Sequence, residues 1–232
     1  MDITPAALTD FLLTKKVPNL YHANSVLTSC QYLRHASLIS RGSAERRGIP
    51  QTPQASDVLD QNARIWFDVF ADSDDIHKRA SRANVYGPVT LVLDTQQLLA
   101  TQKGEVWVTK SNPTKWNKSS PADRWFSSAK DLATGFSKGT FDFMIVFRNC
   151  GGEVSIRDCL KEVILDNPKV DQIKPQVDFF SMAYGALKLC AAEGQIAAPI
   201  RQRACAEKCS CVADYQANLA GTGRMYRPFL KA

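Results

Sequence analysis

Two stretches of this chain carry apolar side chains almost without interruption, Val89-Thr90-Leu91-Val92-Leu93 and Phe143-Met144-Ile145-Val146-Phe147. Short runs rich in β-branched and aromatic residues predict buried strands, here over 89–94 and 141–147. Glu105–Thr109 and Glu162–Leu165 read as further short strands, and Ile65–Phe70 as a β-rich run. Val17–His22 reads as a brief extended segment. Elsewhere the period lengthens to that of a helix. Thr4-Pro5 resembles a cap and opens a helix over 3–15 with Leu8, Phe11 and Leu12 on one side. A second helix, 25–35, carries Val26, Leu27, Cys30 and Leu33, with Asn24 as its expected cap. A longer one spans 177–193, and after the break at Pro199 a short cysteine-containing helix is expected over about 203–217. Residues 36–63, rich in Gly, Pro, Ser and Gln, predict a long loop or two short turns, which inside a domain is usually functional or mobile. Early helices, several strands and a late helix make the class α+β.

Composition narrows the setting. A length of 232 residues suits one domain, or one domain with an appendage. No run of 18 apolar residues occurs, so no membrane-spanning helix is expected. The N-terminus lacks a basic-then-apolar secretory order. Seven cysteines, an odd number in a chain this long, argue for a reducing compartment over a disulfide scaffold and point to the cytoplasm.

The net charge of +6 is unevenly spread. Residues 57–75 hold six aspartates (Asp57, Asp60, Asp68, Asp72, Asp74, Asp75) against Arg64, an acidic face. Residues 101–140 hold seven basic residues (Lys103, Lys110, Lys115, Lys118, Arg124, Lys130, Lys138) against three acids, and 199–232 hold six against two. With Trp116, Trp125 and Phe126 interleaved, the 101–140 stretch could track phosphates and stack unpaired bases, or be a solvated loop anchored by its aromatic residues.

The chain contains no Gly-x-Gly-x-x-Gly, no Walker Gly-Lys-Ser/Thr and no His-Glu-x-x-His. Its three histidines, His22, His35 and His77, are too dispersed in sequence to suggest a catalytic zinc, and no metal site is assigned. Cys205, Cys209 and Cys211 form C-x3-C-x-C with Cys190 fifteen residues upstream. Four thiolates could ligate zinc, but Cys205 and Cys209 could equally share a buried helix face. Asp72-Ser73-Asp74-Asp75 can be read as a metal cluster, or more simply as an acidic turn or helix cap.

One segment is more specific. Leu20-Tyr21-His22-Ala23-Asn24, a helix, and then Leu38-Ile39-Ser40-Arg41 opening a loop resembles the start of the DarT-like ADP-ribosyltransferases, which read Leu-Tyr-His-x-Thr, helix, Gly-Leu-Ser-Arg. The resemblance extends over roughly 19–167. Asn24 departs from it, placing an amide where that family has a hydroxyl. The resemblance implies an ADP-ribosyltransferase-like domain over 1–168, built on a split, mixed or antiparallel sheet with flanking helices. Residues 169–232 are then a helical extension packed on it. It further implies an NAD-dependent glycosyl transfer to a base of RNA or single-stranded DNA. A toxin or anti-phage role would follow, with an antitoxin and possibly a chaperone as protein partners and no membrane. Such chemistry develops an oxocarbenium-like ribose as nicotinamide leaves, and needs an anion clamp and a carboxylate. Tyr21, His22, Asn24 and Arg41 are the expected NAD-binding residues. The acid is open between Asp142, favoured by position before a core strand, and Glu153, favoured by residue type. Gly151-Gly152 could also place Glu153 at a hairpin turn. A nucleic-acid-binding protein with a degenerate fold of this kind is the alternative.

Overall fold

The computed structural model describes residues 3–102, 104–118 and 120–229. Lys103, Lys231 and the side chain of Lys118, all counted in the basic stretches, lie outside the described residues. Along the chain come α1 (Pro5–Thr14), β1 (Asn19–Asn24), α2 (Val26–His35), β2 (Ser37–Ile39), α3 (Arg41–Arg46), α4 (Asp57–Asn62), β3 (Val69–Asp72) and α5 (Ile76–Ala80). Then follow β4 (Val89–Asp94), α6 (Thr95–Ala100), β5 (Glu105–Val108), α7 (Ala129–Gly135), β6 (Met144–Arg148), β7 (Glu153–Ser155) and β8 (Leu160–Leu165). The chain closes with α8 (Phe179–Glu193), β9 (Ile200–Gln202), α9 (Cys211–Ala217) and α10 (Leu219–Tyr226).

Seven strands form one sheet in the order β5-β6-β3-β1-β4-β8-β9, antiparallel throughout except for the parallel pair β8–β9. β2 and β7 form a separate two-stranded sheet. The expected α+β class holds. β4 is an interior strand buried on both faces, which explains its almost unbroken apolar run, with Val89, Leu91 and Leu93 fully buried. Burying each side chain of that size stabilises the fold by about 2 kcal/mol. α8 packs across α2, and β9 extends the sheet edge, so 169–229 is bonded to the first part through both a helix face and a strand ladder.

Several sequence expectations shift. Asn24 ends β1, and the cap of α2 is Ser25, whose hydroxyl accepts from the Thr28 N–H. The expected loop over 36–63 contains β2, α3 and α4. It is organised because Leu38 and Ile39 pair with β7, and because the Ser40 hydroxyl caps α3. The strand over 65–70 begins only at Val69; Ile65–Asp68 is a turn closed by the Asp68 N–H on the Ile65 carbonyl. Likewise Thr140–Phe143 is a turn, and the strand runs over Met144–Arg148. Gly151-Gly152 does not close a hairpin: it carries the chain from the large sheet to β7. Both glycines have positive φ, and a Cβ on Gly152 would lie 2.8 Å from the Ser43 side chain. The helix over 203–217 begins only at Cys211, since Ile200–Gln202 is recruited to the sheet edge and 203–210 is a loop.

Gly87 brings the turn before β4 against the end of β1. Its φ is +140°, and a Cβ there would lie 2.3 Å from backbone atoms of Asn24 and Ser25. Gly87→Ala is therefore expected to destabilise the fold by about 2 kcal/mol or more. Urea unfolding checks this, and an unchanged midpoint would contradict the close approach.

Candidate active site

β1 hydrogen-bonds along its whole length to β4, but to β3 through a single register pair, Tyr21↔Asp72. Past that pair the two strands part, and the sheet splits. A cleft of about 830 Å³, its open mouth included, occupies the split. β1 and β3 form its floor. Tyr32, the start of α3 and Asp60 of α4 line one side, and Asn112–Thr114 line the other lip.

His22 spans the split. Its Nδ1 lies 2.7 Å from the Phe70 carbonyl oxygen. A carbonyl only accepts, so Nδ1 carries the hydrogen and Nε2 presents a lone pair. That Nε2 is buried and has no protein partner among the described residues. An unpaired buried acceptor costs about 1–3 kcal/mol, a cost recovered when a ligand N–H or O–H arrives. Burial holds the His22 imidazole below its ordinary pKa, with the Phe70 carbonyl partly offsetting this, so the ring stays neutral. Tyr32 packs edge-on against it at 5.3 Å between centroids, and burial pushes that phenol up to about 12.

Asn24 is buried and occupied: its Oδ1 accepts from Ser25 N–H (2.9 Å) and Gln54 Nε2 (3.2 Å), and its Nδ2 donates to Tyr32 Oη. It ties β1, α2 and the 41–63 segment together at the cleft base. Arg41 is similarly engaged. Its Nε and Nη2 form a bidentate pair with Asp57 at 2.9 and 2.5 Å, and its Nη1 donates to Gln51 Oε1 and the Thr52 carbonyl. Four of its five N–H bonds are thereby directed to the protein, leaving one for a ligand of the cleft that Arg41 lines.

Tyr21, His22, Asn24 and Arg41 thus line one cavity. Glu153 and Asp142 do not line it. Glu153 stands opposite Ile39 in the β2–β7 ladder, and Ile39 lines the cleft, but the Glu153 carboxylate pairs with Arg47. Asp142 accepts from the Asn112 N–H at 2.9 Å and from Lys115 Nζ at 2.7 Å, fastening the Asn112–Thr114 lip. Burial raises its carboxyl pKa, but Lys115 and the Asn112 N–H outweigh this and hold it below the usual range.

The acidic face expected over 57–75 is largely a set of ion pairs. Asp57 meets Arg41, Asp68 meets Arg148, Asp72 meets Arg79 and Asp75 meets Arg203. Asp75 also caps α5, as the simpler reading of 72–75 held. Asp60 differs: it lines the cleft and has no cation at ion-pair distance among the described residues. Burial pushes its carboxyl up to about 6, against a weaker lowering by Ser56. Sequence reasoning missed it because Asp57 and Asp60 are indistinguishable on a short helix until one meets an arginine.

The aromatic residues of 101–140 are not an open stacking platform. Trp116 and Phe126 are buried, and Trp125 is wedged between Trp107 and Trp116 with the Arg148 guanidinium over the Trp107 and Trp125 rings. They anchor the segment to β5 and β6. Lys130 and Lys138 of the same stretch remain exposed.

No family model matches the chain, and no curated protein matches it. Among solved structures it is similar to DarT of Thermus sp. 2.9 in complex with ADP-ribosylated single-stranded DNA. That similarity has a TM-score of 0.48 and 11% identity over 81% of this chain and 95% of that one. No helix among the described residues is long and apolar enough to cross a membrane.

Two of the titrating groups that line the cleft, His22 and Asp60, act on stability with opposite sign. His22 has a folded pKa below its unfolded value near 6.5, so the unfolded chain takes up more protons and stability falls as pH drops below about 6.5. Asp60 has a folded pKa near 6 against 3.8, so its contribution is present at low pH and is lost as pH rises through about 6. In denaturation series from pH 7 to 4.5, His22→Asn, which keeps a donor for Phe70, should lose less stability on acidification than the parent. Asp60→Asn should lose more. Parallel curves would contradict both assignments.

Proposed function

We propose that the cleft binds NAD and transfers its ADP-ribose to a base of RNA or single-stranded DNA. The supporting observation is convergence. Tyr21, His22 and Asn24 of one strand and Arg41, which carry the resemblance to the DarT-like ADP-ribosyltransferases, meet in one cavity, with the His22 Nε2 lone pair unsatisfied. In the transfer, the bond between ribose C1′ and the nicotinamide nitrogen breaks, a base nitrogen or oxygen bonds to C1′, and its proton leaves.

In this reading the His22 Nε2 accepts from a donor at the nicotinamide–ribose end, and Tyr21 flanks the ring. Asn24 holds the strand end in register. Arg41 gives its remaining N–H to an anionic oxygen while its pair with Asp57 keeps the guanidinium in place. Glu153 is the acid: it reaches the ribose from its position opposite Ile39 when Arg47 releases it. Asp142 positions the Asn112–Thr114 lip. All cleft-lining residues fall within 1–168, which supports that span as the catalytic unit and 169–232 as its extension. The exposed lysines and the excess of four positive charges in 101–140 suit a polyanionic acceptor. A toxin or anti-phage role, with an antitoxin and possibly a chaperone, and a cytoplasmic location belong to the same proposal.

The ion pairs that occupy Arg41, Glu153 and Asp142 favour one further reading, a nucleic-acid-binding protein without turnover. Incubation with labelled NAD and RNA, single-stranded DNA or protein separates the two. The expected result is label on nucleic acid, lowered about 100-fold or more by Glu153→Gln and less than about tenfold by Asp142→Asn. Salt-dependent nucleic-acid binding without NAD consumption selects the second reading. Arg41→Ala should weaken NAD binding, and an unchanged affinity would contradict its role.

A further inference from the structure

His77, Cys205, Cys209 and Cys211 bring their ligand atoms within 4.8 Å of one another. His77 is distant in sequence from the three cysteines, which lie within seven residues. His77 lies in the first turn of α5, Cys205 and Cys209 in the loop after β9, and Cys211 at the start of α9. Cys190 is elsewhere: on α8 its Sγ accepts from Arg34 Nη2, and it packs in the cluster between α2 and α8. The thiolate set suggested by spacing alone is thus corrected by one member, with a histidine taking its place.

Three of the six ligand–ligand distances are close to the edges of a tetrahedron around one small ion, and all six are within 4.8 Å. His77 Nε2 lies 3.3 Å from Cys209 Sγ and 3.7 Å from Cys205 Sγ, and the Sγ atoms of Cys205 and Cys211 are 3.4 Å apart. Bonds of about 2.3 Å to sulfur and about 2.0–2.1 Å to imidazole nitrogen, at tetrahedral angles, give edges of about 3.8 Å between sulfurs and about 3.5 Å from nitrogen to sulfur. The sulfurs are well beyond the length of a disulfide bond.

The second observation lies behind the histidine. Its Nδ1–H donates to Asp166 Oδ2 at 2.7 Å, so in the neutral ring, the form that binds a metal, Nε2 is the lone pair and faces the sulfurs. Asp166 is itself buried, accepts from the Tyr215 hydroxyl at 2.7 Å, and pairs with Arg203. A carboxylate fixing the tautomer of a ligating imidazole is the outer-shell arrangement that zinc sites use. Cys211 is anchored in the apolar core and Cys209 packs against it, but Cys205 and the connecting loop Ala206-Glu207-Lys208 are exposed, so apolar burial does not account for the position of Cys205.

We propose that His77 Nε2 and the thiolates of Cys205, Cys209 and Cys211 bind one Zn²⁺ as a structural site. Four protein ligands leave no open position for substrate, so the ion's role is to pin the C-terminal segment to α5. The neighbouring residue Ile76 lines the cleft, so the pin also fixes one cleft wall.

Elemental analysis of the full chain, prepared under reducing conditions and reloaded with zinc, tests this. One zinc per chain is expected, with loss of the metal in Cys209→Ser and His77→Ala and retention in Cys190→Ser. Because those variants can unfold, the unsubstituted protein exchanged with Co²⁺ is read as well. Intense visible bands and a thiolate-to-cobalt charge-transfer band are expected, and chelation should lower the melting temperature. Zinc-free protein after reloading, iron or copper in place of zinc, a Cys205–Cys211 disulfide, or cobalt binding without thiolate bands would each overturn the proposal.

Discussion

The hydrogen bond from His22 Nδ1 to the Phe70 carbonyl is the interaction on which the site depends. The β1–β3 ladder has only one register pair, and beyond it the two strands would otherwise expose unpaired backbone to the cleft. The imidazole fills that gap from one side. In doing so it fixes its own tautomer, so the atom facing the cavity is an acceptor and not a donor. The split that makes room for a ligand and the group that would receive it are therefore produced by the same contact.

Around that contact the walls are held by paired charges. Arg41 with Asp57 closes the segment carrying α3 and α4, Arg148 with Asp68 braces the approach to β3, and Arg79 with Asp72 holds its end. Each of these aspartates is at least partly desolvated, where breaking a pair costs far more than at the surface. Arg41 directs four of its five N–H groups and Arg79 three to the protein, and the two so shape the cavity. Among the groups that remain for a ligand are the His22 lone pair, one N–H of Arg41 and the Asp60 carboxyl.

Elements whose pattern is set by burial alone were legible in the sequence. β4 is apolar at four of its six positions because it is covered on both faces, and α2 and α8 show the apolar stripes by which they pack on each other. The segment 36–63 was not legible, because α3 and α4 carry weak periodicity and are organised by the Arg41–Asp57 pair, a contact sixteen residues apart. Tyr21, His22, Asn24 and Arg41 were found through their order along the chain, which the fold then converts into proximity. Asp60 was hidden among five other aspartates, and the aromatic residues of 101–140 could not be assigned to core or surface without the pairing of β5 and β6. His77 gave no signal, since its three cysteine neighbours lie more than a hundred residues downstream.

The central claim is that the cleft at the split is an NAD site with His22 Nε2 as its acceptor. With only three histidines in the chain, long-range ¹H–¹⁵N correlation spectra of the imidazoles test it directly. The account predicts a neutral His22 ring protonated at Nδ1 in the free protein, and a saturable shift of its Nε2 resonance as NAD is added. A His22 ring protonated at Nε2, or one whose resonances do not move with NAD, would contradict it.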